Sequence, residues 1–194
     1  MDNHLDLGCG LTPKNPYNRS IVHGIDIRTI KSLAFEVKTA DLALERIPYP
    51  DSHFDSVSAY DFLEHIPRIL QGKNGQLRFP FIDLMDEIFR VLKPNGRFYA
   101  STPHYPHPEV FQDPTHVNIL TRDSHIYFSG AEPLARMYGF KGDFVVLRVQ
   151  SCEGGKFVYE PLRKTSLQQL KNWIRSLRGK NAHLIWEFEA NKEA

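Results

Sequence analysis

Leu5-Asp6-Leu7-Gly8-Cys9-Gly10 is a short apolar strand that runs into a Gly-x-Gly turn, with a carboxylate near the strand end. A second run, Ile21 to Ile27, closes on Gly24-Ile25-Asp26-Ile27 and places Asp26 sixteen residues after Gly10. A strand, a glycine turn and an acid closing the next strand form the front half of a nucleoside-binding α/β unit. The glycines let backbone approach a ligand closely, and the distant acid can accept hydrogen bonds from both ribose hydroxyls. A nicotinamide dinucleotide needs a third glycine where the helix starts beneath its pyrophosphate. That position here is Pro13, which disfavours an oxidoreductase.

The pattern continues along the chain. Ala34 to Lys38 alternates like a strand and leads to Thr39-Ala40-Asp41-Leu42, and Phe54 to Ala59 reads as another strand reaching Tyr60-Asp61. Leu77 to Leu92 has helical periodicity, with Leu84, Ile88, Val91 and Leu92 on one side and Pro80 in the first turn. Lys93-Pro94-Asn95-Gly96 should stop that helix in a turn, with Arg97 to Ser101 as the next strand. A short helix around Glu132 to Met137 precedes a strand at Asp143 to Val149. Lys156 to Tyr159 is a weak strand, Thr165 to Leu177 an amphipathic helix, and His183 to Phe188 a late strand expected to pair with Asp143–Val149. Strands separated by helices imply a mostly parallel, doubly wound sheet with an antiparallel last strand and helices on both faces. Pro13 and Pro16 oppose a regular first crossover helix, so a short helix or a loop in its place is expected there.

Length favours one domain over 1–194, with a basic helical insertion at about 160–181 before the last strand. A formal net charge of +1 gives no global attraction to nucleic acid. Cys9 and Cys152 are too few for a disulfide framework. No signal peptide and no apolar run of membrane-spanning length are apparent, so a soluble, cytoplasmic protein is expected.

Five segments in order, LDLGCG (5–10), GIDI (24–27), ADL (40–42), FDSVSAYDFLEHIP (54–67) and VLKPNGRFYASTP (91–103), resemble the class I S-adenosylmethionine-dependent methyltransferases. The resemblance covers roughly residues 4 to 150 and implies S-adenosylmethionine as cofactor. It further implies that Gly8, Cys9 and Gly10 approach the methionine and ribose parts, and that Asp6 helps hold the methionine amino group directly or through water. Asp26, with Ile27 beside it, would take the ribose hydroxyls; Asp41 and the Leu42 backbone would take the adenine edge; Tyr60 would line the methionine side. Asp41 can also be read as a helix N-cap, and Cys9 as a small buried residue rather than a nucleophile. The family usually carries a helix before its first strand, whereas Met1 here stands almost at that strand, so the cofactor's cover is expected to differ.

Methyl transfer is an in-line displacement, and the protein must align the acceptor and remove a proton where the acceptor needs it. The segment Thr102 to Asn118 follows the fifth matching segment and is stiffened by Pro103, Pro106, Pro108 and Pro114. Four of the nine histidines lie between His104 and His125. His116, with Asp113 nearby, is the first choice for general base, and His104 the second. A metal set of His104, His107, Asp113 and His116 fits no compact motif, and no metal is expected. Glu64-His65-Ile66-Pro67 follows the fourth strand, and His65 is read first as packing or capping. The Asn/Asp-Pro-Pro-Tyr type of motif used on base amino groups is absent. An oxygen of a sugar, glycan or other small molecule, anionic or not, is therefore the expected acceptor. A cofactor-binding scaffold, or a methyltransferase of protein or RNA, is the alternative.

From Arg163 to Lys180 there are six basic residues and no acidic one. The plain reading is a helix packed on the sheet with a solvated basic face; the sharper one is contact with an anionic partner: a phosphorylated or lipid-linked glycan, a membrane surface, or nucleic acid.

Overall fold

The computed structural model describes residues 1–31, 34–72, 74–154, 159 and 165–192. The weak strand expected at 156–159 lies outside them apart from Tyr159, as do Arg163 and Lys164 of the basic segment. Among the described residues seven strands form one sheet: β1 (Asn3–Leu7), β2 (Ile21–Asp26), β3 (Glu36–Thr39), β4 (Phe54–Tyr60), β5 (Leu92–Pro103), β6 (Phe144–Cys152) and β7 (His183–Ala190). Their order is β3-β2-β1-β4-β5-β7-β6. The first five are parallel, while β7 runs antiparallel to both β5 and β6. β7 thus pairs with β6 as the sequence indicates, and also wedges between β6 and β5.

Helix α1 (Pro80–Val91) begins on Pro80 and buries Phe81, Leu84, Met85, Ile88 and Val91. This is the i, i+3, i+4 stripe that drives an amphipathic helix onto a sheet. Its first residues fall short of the expected start, because Leu77–Arg78 pairs with Leu70–Gln71 in a small antiparallel ladder. The segment expected as a turn, Lys93 to Gly96, is absorbed at the start of β5, where the register against β4 shifts and Asn95 takes φ +60°.

Side chains alternate across the sheet, and the two faces differ. Leu5, Leu7, Val57, Ala59, Phe98, Trp186 and Phe188 join α1 in the apolar core. The opposite face buries His4, Asp6, Ser56, Ser58, Tyr60, Tyr99 and Glu187. His4 bridges Ser56 and Ser58 through its two ring nitrogens, at 2.8 and 2.9 Å. Burial pushes its pKa down to about 3, so it is a neutral imidazole there. Residues 11–20 cover this face as a loop, as Pro13 and Pro16 require. Tyr17 from this loop and Tyr159 both donate to Glu187 Oε1, at 3.0 and 3.1 Å, while Arg148 pairs with Oε2 at 2.8 Å. A polar face needs hydrogen-bonding cover rather than an apolar helix, and the loop supplies it.

Helix α2 (Ser166–Leu177) is capped by Thr165 and Gln168, whose side chains reciprocally bond each other's backbone N–H. Leu167, Leu170, Trp173 and Ile174 are 72, 51, 60 and 36% exposed. The helix is not packed on the sheet by its apolar face, which corrects the plainer reading of this segment. Among the described residues, no helix is long and apolar enough to cross a membrane.

Candidate active site

The strand order reverses on either side of β1, where an open α/β sheet binds ligands beyond its carboxyl ends. Gly8 (φ +65°) and Gly10 (φ +58°) form the turn there in the left-handed region, which costs a residue with a Cβ about 1–2 kcal/mol. A Cβ on Gly8 would lie 2.6 Å from the Phe62 ring, whereas one on Gly10 would meet only Arg28, at 3.8 Å. The turn is closed below and open above, as close approach of a nucleoside requires.

Gly10 N–H donates to Asp26 Oδ2 at 3.0 Å and ties the turn to the end of β2. Arg28 donates its backbone N–H and Nε to Asp26 Oδ1, both at 2.9 Å, and Nη2 to Oδ2 at 3.1 Å. The guanidinium holds the Asp26 carboxyl below the usual range. Ile27 is exposed at the lip beside it. Asp6 is buried; Oδ1 accepts from Ser58 Oγ at 2.6 Å and Oδ2 from Lys14 N–H at 2.8 Å. Burial raises its pKa to about 7. Asp6 therefore fastens the loop that follows the glycines.

Asp41 Oδ1 accepts from Ala43 N–H at 3.0 Å in a local turn with no helix behind it, and Leu42 is buried. Tyr60 is buried against Tyr99, with ring centroids 5.5 Å apart. Cys9 is fully buried, and burial beside Asp6 and Asp26 raises its thiol to about 11, so it is no nucleophile.

A polar cavity of about 540 Å³ opens next to this rim, lined by Asp61, Glu64, His65, Glu109, Asp113, His116 and His183 among others. Asp61 directly follows β4 with φ +46°, a backbone strain that often marks functional positions. Its Oδ1 lies 2.7 Å from His183 Nε2. The neighbouring Phe62 supports Gly8 from below, so one dipeptide joins the glycine turn to the cavity. Glu64 is fully buried, Thr102 Oγ1 donates to its Oε2 at 2.8 Å, and burial raises its pKa to about 7. The His65 and His116 rings meet edge to face at 4.9 Å.

A family model described as a methyltransferase domain matches residues 5–100. The chain belongs to the class I S-adenosylmethionine-dependent methyltransferases. Solved structures of low sequence identity share the fold. A SAM-dependent methyltransferase from Archaeoglobus fulgidus is 16% identical with a TM-score of 0.55, covering 97% of this chain and 86% of that one. An S-adenosylmethionine-dependent methyltransferase from Mesorhizobium loti is 14% identical with a TM-score of 0.54, over 96% and 90%. The N-methyltransferase NodS from Bradyrhizobium japonicum, in complex with S-adenosyl-L-homocysteine, is 12% identical with a TM-score of 0.52, over 98% and 79%. None of the curated proteins matches the sequence.

The cofactor of this methyltransferase is S-adenosylmethionine. The residues fit it: the open glycine turn and the Asp26 carboxylate lie on one rim. Gly8, Gly10 and Asp26 come together there, while the side chains of Asp6, Cys9 and Tyr60 are turned into the protein. His116 and Asp113 line the neighbouring cavity, but Asp113 Oδ1 accepts from Thr115 Oγ1, and the bond from His116 to Asp113 is between backbone N–H and carbonyl, at 3.1 Å. His104 is buried, with Nδ1 donating to the Tyr105 carbonyl at 2.7 Å, and burial lowers its pKa. Asp61, Glu64, Glu109 and His183 were not among the expected catalytic residues. Only the adjacent pair Glu64-His65 carried a local signal, since His183 stands 122 positions from Asp61.

Proposed function

We propose that this methyltransferase acts on an oxygen of a sugar, a glycan or another small polar molecule. The observation that carries the reading is the cavity beside the glycine turn, whose walls offer the carboxylates of Asp61, Glu64, Glu109 and Asp113 and the imidazoles of His65, His116 and His183. Such walls suit hydroxyl groups, each of which needs a donor and an acceptor. The carboxylates of Asp61, Glu109 and Asp113 disfavour a phosphate backbone and with it RNA.

When bound, the cofactor would supply an electrophilic methyl carbon and a leaving group, the thioether sulfur that keeps the S–CH3 bond pair. The chain's part is to align the acceptor and take its proton. His116 Nδ1 lies 3.1 Å from the Val110 carbonyl oxygen, which can only accept, so its proton sits on Nδ1 and Nε2 is free to accept the hydroxyl proton. His104 is the second candidate, held neutral by burial. A labelled-methyl assay with S-adenosylmethionine against sugars, glycans, small metabolites, RNA and protein tests the reading. Transfer to hydroxyl-bearing small molecules or glycans is expected; transfer confined to RNA or protein would overturn it.

We also read α2 as the part that meets an anionic lipid surface from the cytoplasmic side, bringing the enzyme to an acceptor held there. Its exposed Leu167, Leu170, Trp173 and Ile174 lie among Lys171, Arg175, Arg178 and Lys180, with no acid between Arg163 and Lys180. An exposed apolar stripe flanked by cations complements an interface of acyl chains and anionic headgroups.

A further inference from the structure

Glu64 and His65 stand in the turn after β4, and His116 in the loop after β5. One ligand-capable atom from each lies within 4.8 Å of the others. Glu64 Oε1 is fully buried and has no hydrogen-bond partner among the described residues, while Oε2 is held by Thr102. A bare, buried carboxylate oxygen is costly unless it meets a proton or a cation.

The two imidazoles are set for the same purpose. His116 must carry its proton on Nδ1, because the Val110 carbonyl there only accepts; its lone pair is on Nε2. His65 Nδ1 lies 3.0 Å from Thr115 Oγ1, whose own hydrogen goes to Asp113 Oδ1 at 2.7 Å. Thr115 therefore accepts from His65 Nδ1–H, and again Nε2 is left with the lone pair. Metal-binding histidines are oriented in this way, by a hydrogen bond from the ring nitrogen that does not ligate.

We propose that Glu64, His65 and His116 bind one divalent transition-type cation, Mn²⁺, Co²⁺ or Zn²⁺ in character. Two imidazoles and one carboxylate favour such ions over Mg²⁺ or Ca²⁺ and leave coordination positions open. The ion's role, as distinct from its binding, rests on the acceptor reading of this cavity. An acceptor hydroxyl on an open position is a stronger acid. His116 Nε2 then serves as a ligand in place of the base, and the hydroxyl proton would pass to the Asp61 carboxylate, which lines the same cavity, as the oxygen bonds to the methyl carbon and the S–CH3 bond pair stays on sulfur as the thioether.

The test uses the full chain, stripped with a chelator and titrated with Mn²⁺ alone, without cofactor or acceptor. Bound ion is read by loss of the free Mn²⁺ electron paramagnetic resonance signal, and by calorimetry with Co²⁺ and Zn²⁺. We expect one ion per chain, at least tenfold weaker binding in His116→Ala and Glu64→Gln, and unchanged binding in His107→Ala, whose imidazole is outside the set. Folded wild-type protein that takes up none of the three ions would overturn the proposal. So would folded His116→Ala that binds as tightly as wild type. Because no methyl transfer is read, either failure leaves the acceptor reading standing. Ion binding without transfer to any hydroxyl acceptor would remove that reading and keep the site.

Discussion

Arg28 grips Asp26 with two prongs, Nε to Oδ1 at 2.9 Å and Nη2 to Oδ2 at 3.1 Å, while Gly10 N–H and the Arg28 N–H also donate to the same carboxylate. A carboxylate has about four lone-pair positions, and here all are taken. Ribose hydroxyls can reach Asp26 only as the guanidinium withdraws, which its 67% side-chain exposure permits. Asp26→Ala should weaken S-adenosylmethionine binding by roughly a hundredfold, the loss of two charge-assisted hydrogen bonds. Arg28→Ala should leave affinity unchanged or tighten it a few-fold. Calorimetry decides; a tenfold loss in Arg28→Ala would mean that the arginine holds the cofactor rather than its place.

The two glycines of the turn should differ in what a methyl group does to them. Gly10→Ala should cost about 1–2 kcal/mol, the left-handed strain alone, because its Cβ enters open space. Gly8→Ala adds a 2.6 Å clash with Phe62 and should cost more, on the order of 3 kcal/mol. Urea denaturation of both variants checks the order, and equal losses would show that Phe62 yields freely.

His4 and Asp6 share Ser58 and pull stability in opposite directions with pH. The Asp6 carboxyl, raised by burial to about 7, favours the folded state below the unfolded pKa and loses that contribution as pH rises toward 7. His4, depressed to about 3, works the other way, losing its contribution as pH falls below its unfolded value. Wild-type stability alone would blend the two. The difference between Asp6→Asn and wild type isolates the carboxylate, since an amide can accept from Lys14 N–H and donate to Ser58 Oγ. That difference should grow in favour of the variant from pH 4.5 to 7.5, by on the order of 2 kcal/mol or several degrees in Tm. A difference that stays flat across this range would contradict a buried, raised carboxyl.

The first half of the fold was legible because its signals are local. Gly8 and Gly10 announce a turn, Asp26 a strand end, and Pro13 and Pro16 a loop in place of a helix. Strand β7 was visible as a strand but its double pairing was not, since alternation along His183 to Phe188 fixes faces and leaves neighbours unspecified. The cavity was legible only in part for the same reason. Asp113 and His116 advertised themselves within one rigid loop, whereas the Asp61–His183 contact exists only after β7 has docked beside β5. Helix α2 was legible as amphipathic, but the same stripe serves a sheet or an interface, and only its exposure separates them.

Helix α2 supplies the last prediction. Its apolar stripe is exposed and bordered along one side by cations, so at low salt the protein should co-float with vesicles containing anionic phosphatidylglycerol and not with purely zwitterionic ones. The electrostatic part is worth about 1 kcal/mol per basic residue near the surface. Lys171→Glu with Arg175→Glu replaces two attractions by repulsions and should lower the bound fraction at least tenfold, while leaving S-adenosylmethionine affinity unchanged because α2 contributes nothing to the glycine turn. Arg175 also pairs with Glu153 at 2.6 Å, so Lys171→Glu alone provides a control that leaves this bridge intact. Trp173→Ala removes the largest exposed apolar side chain of the stripe and should weaken binding even at low salt, where charge alone would hold the protein. If Trp173→Ala floats like wild type while the charge reversals do not, the contact is purely electrostatic and the stripe serves another protein surface. If neither substitution changes flotation, α2 does not meet the bilayer.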